Sequence, residues 1–424
     1  MADSITNASW CRLCIAVSSA LLFVAGCGTQ DTLPHYAETT LEPGSSLPNL
    51  TELPEGGALL SWVQSMGDGT HELRFTRMSE GRDGTALQMG PVEIVASGTD
   101  WVVNWADFPS VLQLEDGTLA AHYLRQNARS RFAYDIEVLR GTPDGQGASS
   151  TVAWSPPIVP HGDHTNTEHG FATFVGTASG DPGIVWLDGR RMDGGSADGA
   201  ATELRYKSIS ANGPDEEELV DNRVCDCCQT DVARLDNGDL VVAYRDRSVD
   251  NIRDISVARR HDGAWQSPVR VAQDNWHIDG CPVQGPSIDA VGNVGAVGWF
   301  TAAEPPSVKV AFFDETGAFG DPIIVDSVDA LGRVSLALLG PDRAAITWLT
   351  SDGGSGTTVA EIRLSEVFRN GKIGIQKPVG TTSSTRASGF PQLAQVGNRL
   401  VVAWTDVSDE PLVKIRHLSL DDSL

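Results

Sequence analysis

Apolar and polar residues alternate along most of the chain in short runs, separated by turns rich in Gly, Asp and Pro. This period-two pattern predicts strands. A strand-like phrase ending in an aromatic recurs seven times. It reads ALLSW to Trp62, TLAAHY to Tyr123, PGIVW to Trp186, DLVVAY to Tyr244, VGAVGW to Trp299, AAITW to Trp348 and LVVAW to Trp404. Successive aromatics lie 61, 63, 58, 55, 49 and 56 residues apart. Most copies follow a turn, as in LQLEDGTLAAHY and ARLDNGDLVVAY. Most lead into a third alternating segment (IEVLR, ISVARR, VKVAFF) and then a fourth (WQSPVRVA, FGDPIIVD). Each repeat therefore predicts four antiparallel strands.

Four-stranded units at this period predict an all-β chain folded as a β-propeller, with seven blades on this count and six as the alternative. The last unit, Phe390 to Leu420, shows three strands, and a segment near Tyr36 to Leu41 is expected to supply the fourth. No Pro/Ser-rich linker divides the repeats, so residues 27–424 read as one domain.

The phrase RRHDGAWQSP, Arg259 to Pro268, resembles the Asp-box of bacterial neuraminidase repeats through Asp262, Gly263 and Trp265. FDETGAFGDP and SEGRDGTAL are weaker copies. The resemblance implies a sialidase-like propeller and, with it, carbohydrate chemistry. In sialidases three arginines hold the substrate carboxylate, an Asp serves as acid/base, and a Tyr with a Glu partner is the nucleophile. The Phe-Arg-Ile-Pro motif of that family is absent here, and no Tyr follows Tyr244.

Residues 1–26 read as a signal peptide. A short apolar run, Ile15 to Ala25, ends in Val24-Ala25-Gly26-Cys27, which resembles the bacterial lipoprotein box. Cys27 is the expected lipidation site, and Gly28 after it leans towards the outer membrane. Lys+Arg 31 against Asp+Glu 56 gives a net charge of −25, which argues against a nucleic-acid partner.

Strand order sorts the remaining chemistry. Loops that enter each blade, and loops from second to third strand, open on one face. Trp105 and seven arginines map to that mouth, among them Arg125, Arg190, Arg245, Arg247, Arg333 and Arg386. Guanidinium forks grip carboxylates, and Arg245, Arg333 and Arg386 are the expected triad. Asp107, Asp188 and Asp231 are the candidate acids. Cys225, Cys227, Cys228 and Cys281 fall in two consecutive entry loops, with His161, His164, His169 and His277 in the same class of loop. In an exported chain these cysteines read as disulfides, first between the triplet and Cys281; with the histidines, zinc or copper binding is the alternative. The readings left open are a glycan-binding or glycan-hydrolysing protein, a metal-binding propeller, and an envelope scaffold.

Overall fold

The computed structural model describes residues 38–421, apart from 82–85, 131, 146–150, 193–199, 211–212, 215 and 352–357. The signal segment, Cys27 and Tyr36 lie outside the described residues. The strands form seven antiparallel sheets, each with four main strands in sequential order. Blades 1 to 7 span 45–98, 110–154, 169–224, 231–270, 287–326, 330–383 and 392–419. This is the expected seven-bladed propeller. In blade 7 the fourth strand comes from the start of the chain: Glu38–Thr40 pairs with Leu412–Ser419, placing Glu38 opposite Arg416.

The recurring aromatic sits in the second strand of every blade and is buried, from Trp186 at 0% exposed to Tyr123 at 7%. Its polar tip reaches back to the preceding blade, or to the segment that leaves it, in three cases. Tyr244 Oη donates to Asp221 at 2.6 Å, Trp299 Nε1 to Asp274 at 2.7 Å and Trp348 Nε1 to Asp326 at 2.8 Å. A ring that fills the gap between two sheets thus also satisfies its one donor there.

Innermost strands leave edge amides unpaired, and side chains from the neighbouring blade take them up. Asp231 accepts from the Ile288 amide, Ser287 from Leu336, Asp289 from Leu338 and Ser335 from Leu393. These strands line an axial cavity of about 430 Å³ that touches all seven blades. Asp262 and Gly263, both in the left-handed region, make the two-residue turn between Ile255–His261 and Ala264–Trp265. That turn lies on the face opposite the entry loops, where the Asp-box resemblance places it.

Candidate functional site

The centre of the mouth is occupied by the entry loop of blade 2. Asn104 starts a tight turn: its side-chain oxygen accepts from the Ala106 amide at 3.1 Å, and its carbonyl accepts from the Asp107 amide at 3.2 Å. From this turn, side chains and backbone reach across the ring. Ala106 O accepts from Gln229 of the blade 4 entry loop at 2.6 Å, and Gln229 Oε1 accepts from the Gly285 amide before blade 5. Trp105 stacks on Phe390 before blade 7, with ring centroids 5.9 Å apart and planes 11° apart. Asp107 accepts from the Phe171 amide of blade 3 at 2.6 Å. Gly170 is required there, because a Cβ would run into Asp107 Oδ2.

Two arginines converge on Trp105, Arg333 at 5.1 Å and Arg386 at 5.8 Å from a ring centroid. Arg333 is 7% exposed, and its guanidinium donates to Ser388 Oγ and to the carbonyls of Gly389, Ser384 and Thr385. Burial, and then the charge of Arg386, lower its pKa to about 10, so it stays charged at neutral pH. Arg386 is exposed. Neither has a carboxylate partner among the described residues. The half-buried indole face and two guanidiniums form a cationic, aromatic platform.

The other predicted residues fall elsewhere. Arg245 is not available to a ligand: it is 1% exposed, donates to the carbonyls of Gln284, Arg253 and Phe300, and lies 4.7 Å from Trp276. The expected triad is therefore reduced to Arg386 at the surface, with Arg333 held beneath Trp105 by carbonyl bonds of the same kind as those of Arg245. Arg125 pairs with Asp100 and Glu137, Arg190 with Asp188 and Glu217, and Arg247 with Asp226. Asp188 is wholly buried; burial alone would raise its pKa, but bonds from Arg190 and the nearby His169 outweigh it and hold the carboxyl ionised. That is an ion-pair partner, poorly suited to donate a proton. Asp231 faces the axial cavity and takes up blade 5 through Ser287 and the Ile288 amide. Burial raises it to about 6.

Asp107 belongs to a chain of three groups that sequence reasoning did not assemble. Tyr134 Oη lies 3.0 Å from Asp107 Oδ2 and 2.6 Å from Glu168 Oε1. A phenol has one proton to give. Burial raises Asp107 to about 8, against the opposing Phe171 bond, so Asp107 is protonated at neutral pH. It then donates to Tyr134, and Tyr134 donates to Glu168. Burial, followed by the two neighbouring carboxylates, holds the Tyr134 phenol well above its usual range. Glu168 is the half-buried end of the chain, and burial raises it too. Tyr134 stands early in the chain, and a loop contact, with no sequence spacing to signal it, brings it to Glu168.

Cys227 and Cys281 form a disulfide between consecutive entry loops, with Cα atoms 6.1 Å apart. Cys225 and Cys228 are buried thiols with sulfurs 2.7 Å apart. Burial opposes ionisation of Cys225, but the Cys228 contact and Arg253 outweigh it and lower its pKa to about 7. His164 and His277 are exposed. His161 and His169 are buried and stacked, with centroids 3.7 Å apart, beside Asp135 and Asp163.

The sequence matches no protein-family model and no curated protein. Among solved structures the chain is similar to the BP39L lectin of Burkholderia pseudomallei, at 10% identity and TM-score 0.58, over 90% of this chain and 98% of the lectin. It is similar to a polysaccharide lyase, a PL25 ulvan lyase bound to a GlcA(1-4)Rha3S saccharide, at 10% identity and TM-score 0.54, over 90% and 96%. The Hadza microbial sialidase Hz136 is also similar, at 12% identity and TM-score 0.46, over 83% and 74%. What the lectin and the lyase share with the chain is the fold, and the seven-bladed propeller expected from the sequence is the architecture observed.

Proposed function

We propose that this protein holds an anionic glycan at the mouth of its propeller, with Arg386 facing a carboxylate or sulfate, the buried Arg333 adding its charge from beneath, and Trp105 stacking on a sugar ring. One observation carries the reading. In a chain of net charge −25, two guanidiniums without carboxylate partners among the described residues meet on one half-buried indole. Arg125, Arg190 and Arg247 show the ordinary arrangement in the same loops, each satisfied by a local Asp or Glu. A lectin and a saccharide-bound lyase of similar architecture support glycans as the ligand class. Titration calorimetry with acidic and neutral oligosaccharides tests it. Arg386→Ala and Trp105→Ala are each expected to weaken the acidic ligand about tenfold or more, equivalent to ~1.4 kcal/mol, with neutral sugars bound weakly throughout. Equal affinity of both variants and the parent for every acidic glycan would refute the site.

Hydrolysis of the bound glycan is a second reading, and it rests on Glu168. A half-buried carboxyl with a raised pKa, fed by Tyr134 and Asp107, suits a general acid. Glu168→Gln is expected to abolish any turnover while leaving binding intact. We further place the protein at the cell envelope, held through lipid on Cys27, on the outer membrane. Cys27→Ser should then release it from the membrane fraction; full retention without a lipid adduct would exclude the anchor.

A further inference from the structure

Two imidazoles beside blade 3 are buried in a way that their hydrogen bonds do not explain. His161 lies in the entry loop and is 4% exposed; His169 begins the innermost strand His169–Gly176 and is 0% exposed. One nitrogen of each ring is held by a single carboxylate. His161 Nδ1 lies 3.1 Å from Asp163 Oδ1, and His169 Nε2 lies 3.2 Å from Asp163 Oδ2. The other two nitrogens, His161 Nε2 and His169 Nδ1, are buried without a hydrogen-bond partner among the described residues. Orphaned polar atoms of this kind call for an unseen partner.

Both orphaned nitrogens approach one atom. Asp135 Oδ1 lies 3.5 Å from His161 Nε2 and 3.7 Å from His169 Nδ1. These separations are long for hydrogen bonds. They are close to the roughly 3.3–3.5 Å between ligand atoms of a tetrahedral ion whose bonds are ~2.0–2.1 Å. Asn127 Nδ2 donates to the same Asp135 oxygen at 2.6 Å and fixes it on its strand. The surrounding charge favours a cation. Asp135, Asp163, Asp188 and Glu217 gather here, and Arg190 pairs with the last three. The cysteine triplet offers the opposite field. Cys227 is committed to a disulfide, and the Cys225 sulfur already accepts from the Arg253 guanidinium at 3.2 Å.

We propose that Asp135 Oδ1, His161 Nε2 and His169 Nδ1 form a three-ligand site for a divalent transition metal of the zinc or copper class, with Asp163 orienting both rings from behind. The donor set, two imidazoles and a carboxylate, suits these ions. A carboxylate on the far nitrogen of each ring fixes the tautomer that leaves the near nitrogen free to bind. An imidazole lone pair lies in its ring plane, so the two rings must turn out of their parallel stack to share one ion. Three protein ligands leave a fourth position for water or a ligand. The site shares no residue with the Trp105 platform, so the two are tested by different substitutions.

The test uses the mature protein, stripped with chelator and titrated with Zn²⁺ by calorimetry and with Co²⁺ by visible absorption. One ion per chain and the visible bands of tetrahedral cobalt are expected. His161→Gln and Asp135→Ala should each weaken binding by about 100-fold or more, and Asp163→Asn by roughly 10–100-fold. Cys225→Ser and His277→Ala should leave it unchanged. Circular dichroism and melting of each stripped variant confirm that it is folded. No saturable binding by the parent would overturn the proposal. So would binding that survives both ligand substitutions, or that disappears with Cys225→Ser.

Discussion

A protonated carboxyl group lies beneath the mouth, and its titration is a handle on the native state. Asp107 is 1% exposed; burial raises its pKa to about 8, against ~3.9 for an unfolded Asp. The folded chain therefore binds this proton more tightly than the unfolded chain. The contribution is fully present below about pH 4 and is lost as pH rises through about 8. Melting temperature is expected to decline between those limits. Asp107→Asn keeps an oxygen for the Phe171 amide and removes the titration, so it should flatten that slope. Calorimetric scans from pH 4 to 9 compare the two, and parallel profiles would show that Asp107 does not govern this window.

Blades are joined to one another by a few recurring contacts, and the aromatic-to-carboxylate bonds of Tyr244, Trp299 and Trp348 are the most regular. Asp274 carries most at one atom pair, since it accepts from both Trp299 Nε1 and Lys309 Nζ. Asp274→Ala leaves a buried indole donor and a lysine unpaired and should cost about 2–4 kcal/mol, read as a lower denaturant midpoint at unchanged slope. A loss below about 0.5 kcal/mol would show that the blade contact is carried by ring packing alone. The blades were legible because one aromatic per repeat keeps the strand period, and each falls on its predicted strand. The closing strand was legible because the last repeat was one strand short. The mouth was only half legible. Strand order put Arg125, Arg190, Arg247, Arg333 and Arg386 on one face, but their availability to a ligand depends on which loop carboxylates and carbonyls reach them. That is decided by contacts between blades far apart in sequence, such as Trp105 with Phe390. Asp231 reads as a candidate acid from its entry loop, and its place on an innermost strand gives it the Ile288 amide to satisfy.

For the molecule as a whole, −25 is a field that any anionic ligand must cross to reach Arg386. Screening shortens that field from ~30 Å at 0.01 M salt to ~8 Å at 0.15 M. The association rate of an acidic glycan should therefore rise with salt over this range, opposite to the usual trend for oppositely charged partners. Stopped-flow measurements at several ionic strengths decide this, and a rate that falls steadily would mean the local cations dominate at long range. The pairing of Glu38 with Arg416 joins positions 378 residues apart. During synthesis the first strand of the ring is made long before its partner exists, and contacts of such sequence separation form late. Until then Leu412–Ser419 and Glu38–Thr40 each present a row of free backbone groups. A copy cut short at its carboxyl end therefore loses its amino-terminal seat as well. It carries raw sheet edges at both ends, and it is the form expected to clump or to be degraded.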